Sequence, residues 1–235
     1  MIVSPGSGGK TPSLNDDLQK EYQRRFLPLQ QYRQKVWSVL TREFFQRYVA
    51  RDAAVLDLGC GWGEFINQIQ AGRRLGMDLN PDSPAHLDSA VEFFQQDCSL
   101  PWPLPENSLN IIFTSNFFEH LPNKLALKQT LAQAYKALRP GGKIICLGPN
   151  IKFLPGAYWD FWDHQVALTE LSLKEILGIT GFQVTECVDR FLPYTMVGGS
   201  QPPLWKIRLY LKLPFTWKLF GKQFLLVAQK PLEKK

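Results

Sequence analysis

Residues 57–63 combine a carboxylate with three closely spaced glycines, a pattern suited to binding a small charged ligand. The segment follows an apolar run and precedes a predicted helix, so the glycines lie where the backbone must bend sharply and can approach a ligand closely. Asp57 adds a negative charge that favours a cation such as an ammonium group. A dinucleotide fingerprint starting at Gly59 needs glycine at its sixth position, where this chain has Glu64, so a nicotinamide cofactor is the weaker alternative.

Further polar residues follow the next predicted strands. Asp78 ends the second strand, where its oxygens can accept hydrogen bonds from both hydroxyls of a ribose. Asp97 and Cys98 come directly after the third strand, and residues 115–121 follow the fourth. Because the carboxyl ends of parallel strands meet at one edge of a sheet, these segments are expected to line a common crevice. Capping of a local turn is the alternative role for Asp78 and Asp97.

The spacing D-x-G-x-G-x-G in residues 57–63 resembles motif I of the class I S-adenosylmethionine-dependent methyltransferases, and the later segments occur in that family's order. The resemblance implies that Asp97 and the next backbone amide bind the edge of adenine. It also implies that an N-terminal helix lies over the cofactor, with Tyr32 or Arg33 near the cofactor carboxylate; a plain surface position is the alternative for both. The expected cofactor is therefore S-adenosylmethionine. Its predicted binding residues are Arg33, Asp57, Gly59, Cys60, Gly61, Asp78, Leu79, Asp97, Cys98 and Asn116.

The apolar pattern from residue 53 onward predicts the elements that position these residues. Strands are predicted at 53–57, 73–78, 91–95, 109–115, 143–148, 182–188 and 223–228, and helices at 62–70, 124–138 and 171–179. This alternation, with near-continuous apolar strands, favours an α/β fold with parallel strands covered on both faces. Together with the resemblance, it predicts a Rossmann-like, seven-stranded, mostly parallel sheet. Residues 138–142 are predicted to form a turn before the fifth strand.

The 235 residues predict one globular domain with additions at two places. Residues 1–15 are expected to be a flexible terminus, and residues 16–50 a helical cap, since apolar residues recur there at helical spacing. Residues 51–235 are expected to form the methyltransferase domain, with an insertion at about 191–222 before the last strand. The four widely separated cysteines predict free, mostly buried thiols.

Histidines are the candidate general bases. A hydroxyl group that receives the methyl group has a high pKa and must lose its proton, and histidine accepts protons near neutral pH. His164 is the preferred candidate, since Asp160 and Asp163 are close in sequence and a carboxylate can orient the ring. His120 is the second candidate because it follows the fourth strand. A packing role is the alternative for both, and His86 is predicted to lie on the surface. Three histidines with scattered acids predict no metal site.

The net charge of +6 is concentrated near the C-terminus, where residues 201–235 hold eight basic residues against Glu233. This distribution favours contact with an anionic surface. Residues 205–213 alternate apolar and polar side chains as a strand would, while the flanking prolines also suit a short helix. Tryptophan and tyrosine beside basic residues are typical of a headgroup boundary, so contact with a membrane or lipid-linked substrate through 201–222 is predicted. A lid packed on the sheet is the alternative.

Residues 33–37, 158–164 and 190–195 resemble a bacterial branch of these methyltransferases associated with cell-surface glycan or lipid-linked sugar assembly. The resemblance implies methyl transfer to a small-molecule acceptor, with an oxygen of a sugar or lipid-linked saccharide expected. An NAD-dependent oxidoreductase and a non-catalytic membrane- or protein-binding module are the alternatives.

The expected partners and cellular location follow from features that the sequence lacks. No RNA-binding motif is recognised, so nucleic acid is a disfavoured partner. The sequence has no apolar stretch that predicts a membrane span or signal segment. We therefore expect a cytoplasmic protein, at most peripheral to the inner face of a membrane. The sequence indicates no particular oligomeric state.

Overall fold

A computed structural model describes residues 29–194 and 201–232, and within them seven strands form one sheet. The strands are β1 (Ala54–Leu58), β2 (Arg73–Asp78), β3 (Val91–Gln95), β4 (Leu109–Ser115), β5 (Leu138–Pro149), β6 (Gln183–Val188) and β7 (Gln223–Gln229). Their order across the sheet is β3-β2-β1-β4-β5-β7-β6. Strands β1 to β5 are parallel, and β7 is antiparallel to both neighbours. The predicted Rossmann-like, mostly parallel sheet is confirmed.

Helices pack on both faces of this sheet. They are α1 (Gln30–Glu43), α2 (Lys124–Ala137), α3 (Glu170–Ile179), α4 (Leu204–Lys212) and α5 (Pro214–Phe220). One buried apolar cluster joins α2 and α3 to one face, and a second joins α1, α4 and α5 to the other. In β1, Leu56 contributes to the first cluster and Val55 to the second, as the alternation of side chains along a strand requires.

Within the described part of the predicted cap, residues 29–50, the main element is α1. Its buried side chains include Val36, Trp37 and Leu40, at the spacing that places them on one side of a helix. The expected flexible terminus at 1–15 and the rest of the chain before residue 29 lie outside the described residues.

The prediction of a helix at 62–70 is wrong. This segment forms hydrogen-bonded turns. Gly63 has a φ of 74°, outside the helical region, so a continuous helix cannot begin at residue 62. The Asn67 side chain instead binds the neighbouring loop, donating to the carbonyl of His86 at 2.8 Å and accepting from the amide of Asp88 at 2.9 Å.

The prediction of a turn at 138–142 is also wrong, because these residues lie within β5. The pairing register between β4 and β5 shifts here, so the segment is an irregular part of the strand. Gly141 has a φ of 81°, and its amide donates to the carbonyl of Lys230 at 2.8 Å. The glycines therefore permit a bulge beside the last strand.

The insertion before the last strand is helical. Both α4 and α5 lie within it, and Pro214 begins α5, where its missing amide hydrogen costs nothing. Residues 195–200 of the insertion lie outside the described part of the chain. None of the helices in the described residues is both long and apolar enough to cross a bilayer.

The four cysteines are free thiols, as expected. Cys60, Cys98 and Cys146 are buried, whereas Cys187 is exposed.

Candidate active site

The glycine turn after β1 forms the floor of the candidate site. Gly59, Gly61 and Gly63 have φ values of 72°, 50° and 74°, a region that side chains other than glycine rarely adopt. A Cβ atom on Gly59 would lie 2.3 Å from Cγ of Phe117, and one on Gly63 would lie 2.5 Å from Cδ2 of Leu87. The turn therefore requires glycine because of both its backbone conformation and the rings and methyl groups packed against it.

Asp78 is held against this turn at the end of β2. Its Oδ2 accepts a hydrogen bond from the amide of Gly61 at 2.8 Å, and its Oδ1 accepts one from the amide of Asn80 at 2.9 Å. Each carboxylate oxygen has a second lone pair, so both can also accept from the hydroxyls of a ribose. The adjacent Leu79 side chain is 63% exposed and offers an apolar surface beside the carboxylate.

Asp57 brings a second carboxylate to the same place. It is buried at the end of β1, and its pKa is raised well above the ordinary range, first by burial and then by the charges of Glu64 and Asp78. Burial also raises the pKa of Asp78, although amide hydrogens and the charge of His120 oppose the shift. A positively charged ligand would stabilise the ionised form of these carboxylates.

Arg33 lies on α1 and pairs with the segment after the glycine turn. Its Nε and Nη2 both donate to Oε1 of Glu64, at 3.1 and 2.7 Å. The resemblance predicts Arg33 near the cofactor carboxylate, and in the structure its guanidinium pairs with Glu64, just after the glycine turn. Its neighbour Tyr32 donates to the carbonyl of Pro202 at 2.8 Å, which connects α1 to the insertion.

Asp97 and Cys98 follow β3, and their side chains have different partners. Oδ1 of Asp97 accepts hydrogen bonds from the amide and hydroxyl of Ser99, at 2.8 and 2.7 Å. The Cys98 thiol is buried 3.2 Å from the hydroxyl of Thr130, and burial raises its pKa to about 11. Cys98 can therefore contribute only its backbone to a ligand.

The other two predicted residues near the strand ends differ in exposure. The Cys60 thiol is buried, and burial raises its pKa. Asn116 is exposed after β4 with a φ of 49°, and its amide donates to the carbonyl of Leu147 at 2.9 Å.

A second group of side chains lies where β4 and β5 end. Nδ1 of His120 lies 3.2 Å from Oδ2 of Asp163, and Nδ1 of His164 lies 2.9 Å from the carbonyl of Tyr158. The two imidazole rings are 5.0 Å apart in an edge-to-face arrangement. The structure therefore brings together the three predicted catalytic residues, and the Asp163 carboxylate, expected beside His164, pairs with His120.

Glu119 is a buried carboxylate that the sequence analysis assigned no role. Its side chain is buried close to the two histidines, and its carbonyl accepts hydrogen bonds from the amides of Gln165 and Val166. Burial raises the pKa of Glu119 to about 7, and the charge of His120 partly opposes this shift. The signal in the sequence was its position directly before His120, at the end of an apolar strand.

The pKa of His120 is raised above its ordinary value. Burial acts to lower it, but the hydrogen bond to Asp163 and the charge of Glu119 outweigh that effect. His164 is buried, and its ring stacks on Phe161 at 5.1 Å between centroids. His120 is thus the more accessible of the two histidines, with an exposed fraction of 35% for its side chain.

Ligand atoms of Glu119, His120 and His164 all lie within 4.8 Å of one another, a grouping that could also hold a metal ion. The sequence predicts no such site. His86, predicted to be a surface residue, is half-buried, with its ring stacked on Trp62 at 4.7 Å.

The loop that carries His164 is anchored at both ends. Directly after β5, the buried Asn150 donates from Nδ2 to Oε2 of Glu170 at 2.6 Å and to the carbonyl of Asp189 at 3.0 Å. Lys152 forms an ion pair with the same glutamate, and this pairing lowers the pKa of Glu170 against the effect of its burial. The loop is therefore held between β5 and α3, which fixes the position of the second histidine.

The strand order and the glycine turn define the class I S-adenosylmethionine-dependent methyltransferases. Residues 29–187 match the family model described as a methyltransferase domain, and the chain belongs to that family. The family match favours the methyl donor over the nicotinamide alternative.

Two relatives and one solved structure that resemble this chain are also described as methyltransferases. A probable S-adenosylmethionine-dependent methyltransferase of Mycolicibacterium smegmatis is 29% identical over 161 residues, which are 66% of this chain and 60% of that protein. A demethylmenaquinone methyltransferase of Lactiplantibacillus plantarum is 29% identical over 116 residues, 43% of this chain and 47% of that protein. The chain thus spans less than two thirds of the length of either relative. The crystal structure of a methyltransferase from Archaeoglobus fulgidus superimposes with a TM-score of 0.63 at 21% identity, covering 87% of this chain and 99% of that one.

The site fits S-adenosylmethionine on the evidence of its own side chains. Asp57 and Asp78 are carboxylates whose ionised forms are disfavoured by burial, and a cation would offset that cost. S-adenosylmethionine carries positive charge on both its sulfonium and its ammonium group. The glycine turn adds a backbone without side chains, along which such a ligand can lie.

Proposed function

We propose that the protein transfers the methyl group of S-adenosylmethionine to an oxygen atom of a sugar or of a lipid-linked saccharide. The observation that supports this proposal is the position of the two halves of the site at neighbouring strand ends: Asp78 ends β2, and the His120–Asp163 pair follows β4 and β5 in a sheet ordered β2-β1-β4-β5. The charge of His120 also acts to lower the pKa of Asp78, against the effect of burial. A methyl donor held by Asp78 and a hydroxyl held near His120 would therefore meet in one crevice.

The cofactor is bound by the residues at the ends of β1 to β4. Asp78 accepts from the ribose hydroxyls, Asp97 and the Cys98 amide bind the adenine edge, and Asp57 stabilises positive charge on the amino-acid portion. Arg33 borders the carboxylate of that portion from α1. The remaining members of the proposed cofactor site are Gly59, Cys60, Gly61, Leu79 and Asn116.

S-adenosylmethionine supplies a methyl group bonded to a positively charged sulfur, which an acceptor oxygen displaces in line. The protein must align the acceptor and exclude water, and such alignment can contribute roughly 7 to 11 kcal/mol. A sugar hydroxyl also has to lose its proton, and a general base contributes roughly 10²- to 10⁴-fold.

His120 is the proposed proton acceptor, with Asp163 as the orienting carboxylate, while His164, the preferred candidate from the sequence, is buried and takes a supporting role. The pairing of His120 Nδ1 with Asp163 places the Nδ1 proton on that nitrogen, which leaves Nε2 as the basic atom. The buried His164 supports the ring of His120 from one side. The proton of the acceptor hydroxyl therefore passes to His120, while Asp163 stabilises the imidazolium that forms.

The cap and the insertion belong to the same proposal. Residues 16–50 cap a methyltransferase domain of residues 51–235, and residues 201–222 contact the membrane at which a lipid-linked acceptor is presented. Coupling between these parts is supported by the hydrogen bond from Tyr32 to Pro202.

The acceptor class is tested by incubating the protein with radiolabelled methyl donor and a fractionated bacterial extract. The proposal predicts label in lipid-linked saccharide or free sugar, recovered as a methyl ether after hydrolysis. The His120→Ala variant serves as the control for enzyme-dependent labelling. Label in RNA, protein or a quinone fraction, with none in saccharide, would refute the proposed acceptor.

A further inference from the structure

The outward sides of α4 and α5 carry an unusual density of large apolar side chains. The side chains of five residues in the segment 205–220 are each about half or more exposed. They are Trp205 (58%), Leu209 (48%), Phe215 (64%), Leu219 (64%) and Phe220 (61%), and together we call them the outer face.

Helical spacing groups these side chains on each helix. Trp205 and Leu209 are four residues apart on α4, as are Phe215 and Leu219 on α5, so each pair lies on one side of its helix. Burying such side chains is favourable, whereas exposing them to water carries a cost of roughly 1.5 to 3 kcal/mol each relative to burial. The outer face is therefore poised to be covered.

The inward sides of the same helices are firmly attached to the domain. Leu211 and Trp217 are buried in the cluster that covers one face of the sheet. The Trp217 indole donates to the carbonyl of Tyr210 at 2.8 Å, and the Tyr210 hydroxyl donates to the carbonyl of Phe191. The lid interpretation of the insertion thus accounts for the inner side chains alone, and the outer face needs another explanation.

The charged residues of the segment that carries the outer face all have one sign. Residues 201–232 contain six lysines and arginines and no acidic residue. Arg208 pairs with Glu43 of α1 at 2.6 Å, while Lys206, Lys212 and Lys218 are exposed on the two helices. Apolar and aromatic side chains interleaved with lysines match the boundary between acyl chains and anionic headgroups.

We infer that the outer face of α4 and α5 docks on an anionic lipid bilayer. The inference rests on the proposed function in that a lipid-linked acceptor is presented at such a surface. Helices of nine and seven residues rise about 1.5 Å per residue, far less than the roughly 30 Å of a hydrocarbon core, so contact is peripheral. The lysines bind headgroups, and the aromatic and leucine side chains enter the interface.

Docking at this face would place the active site next to the membrane. α4 packs against α1, and α1 holds Glu64 of the glycine-turn segment through Arg33. The cap is therefore the element that lies between the bilayer contact and the cofactor site, which suits an acceptor whose lipid remains in the membrane while its sugar reaches the crevice.

The test is co-sedimentation of the full chain with vesicles of phosphatidylcholine containing phosphatidylglycerol. We expect the wild-type protein to sediment at low salt and to be released at high salt or with phosphatidylcholine alone. The double variant Phe215→Ser/Leu219→Ser should bind at least tenfold more weakly. Its matched control is Leu125→Ser/Leu171→Ser, which removes equally exposed leucines from α2 and α3.

A charge-reversal pair separates electrostatic from apolar contributions. Lys206→Glu/Lys218→Glu should lose binding at low salt, while Lys128→Glu/Lys174→Glu, on exposed positions of α2 and α3, should retain it. Far-ultraviolet circular dichroism and calorimetric binding of S-adenosylmethionine verify that each variant is folded.

Three outcomes would overturn the inference. The wild-type chain could stay in the supernatant at low salt, or the control pairs could lose binding as strongly as the outer-face variants. Alternatively, the wild type could elute as a dimer that Phe215→Ser/Leu219→Ser converts to a monomer without any vesicle binding, which would assign the outer face to a second copy. Vesicle binding without methylation of any saccharide would instead uphold docking and refute the proposed acceptor.

Discussion

The proposed cofactor half and the proposed acceptor half of the site are built in different ways. At the ends of β1 and β2, Asp57, the glycine turn and Asp78 lie within 22 residues of sequence, and much of the binding surface is backbone. At the ends of β4 and β5, His120 meets Asp163 across 43 residues, and the contact depends on an anchored loop. The first half is defined by local conformation and the second by tertiary packing.

This difference explains the roles that the two halves can take. A glycine turn with fixed backbone geometry binds the ligand that is common to a whole family. A loop that joins distant elements can change length and side chains without disturbing the sheet, so it is suited to setting the acceptor. Predictions for the two halves should therefore separate cleanly into effects on turnover, on cofactor binding and on stability.

The largest effect is expected in the acceptor half. The His120→Ala variant should lower the turnover rate by roughly 10²- to 10⁴-fold, because the acceptor proton loses its base. Its affinity for S-adenosylmethionine should stay within about threefold of the wild-type value, as judged by calorimetry. A fall in affinity as large as the fall in turnover would show that the two halves are not separable.

The next effect is expected in the cofactor half. Gly59→Ala adds a Cβ atom against the Phe117 ring at a positive φ, and should lower the free energy of unfolding by roughly 2 to 4 kcal/mol in urea titrations. Gly156→Ala is the matched control, because a Cβ atom there meets nothing within 4 Å. Equal stability of the two variants would contradict the described packing of the turn.

A third variant should gain stability and lose binding. Because the pKa of Asp57 is raised by folding, the folded protein binds this proton more tightly than the unfolded chain does. The contribution of Asp57 to the free energy of unfolding therefore declines as the pH rises from the ordinary carboxyl pKa through the raised pKa of the folded state. Asp57→Asn removes the buried charge and should raise the free energy of unfolding at neutral pH by roughly 1 to 3 kcal/mol. Its affinity for S-adenosylmethionine should fall. Unchanged or lower stability would mean that the carboxylate is better compensated than described.

The smallest effect concerns the pH dependence of turnover. His120 must be neutral to accept a proton, so activity should rise with pH through its raised pKa. Asp163→Asn removes a partner that raises this pKa, and should move the ascending limb of the pH profile to lower pH by up to about one unit. Asp160→Asn, an exposed change in the same loop, should leave the limb in place. A shift in the control alone would refute the pairing.

The sequence predicted the sheet well because its strands are short apolar runs with clear boundaries. It failed at residues 62–70, where buried apolar residues kept a helical spacing but the glycine turn occupied the first helical turn. It left residues 205–213 open between strand and helix, because alternation and bracketing prolines pointed in opposite directions. Only packing against α1 and the sheet distinguishes the two.

The candidate site likewise has residues whose positions the sequence predicted and residues whose contacts depend on tertiary packing. Asp78 could be placed beside the glycine turn because motif spacing and strand order determine where it lies. The pairing of Asp163 with His120 could not be predicted, since it depends on the path of a loop held by Asn150 and Glu170. The role of Glu119 was hidden because burial, which raises its pKa, is a property of the folded chain.

The central claim is that the crevice beside the glycine turn binds S-adenosylmethionine through Asp78. Titration calorimetry of the wild-type chain, Asp78→Asn and Asp52→Asn tests it directly, because Asp52 is an exposed carboxylate at the other end of β1. The account predicts one-to-one binding by the wild type and Asp52→Asn, with affinity weakened by roughly 1 to 3 kcal/mol in Asp78→Asn. Absence of binding by the folded wild-type protein, or equal affinity in all three chains, would contradict it.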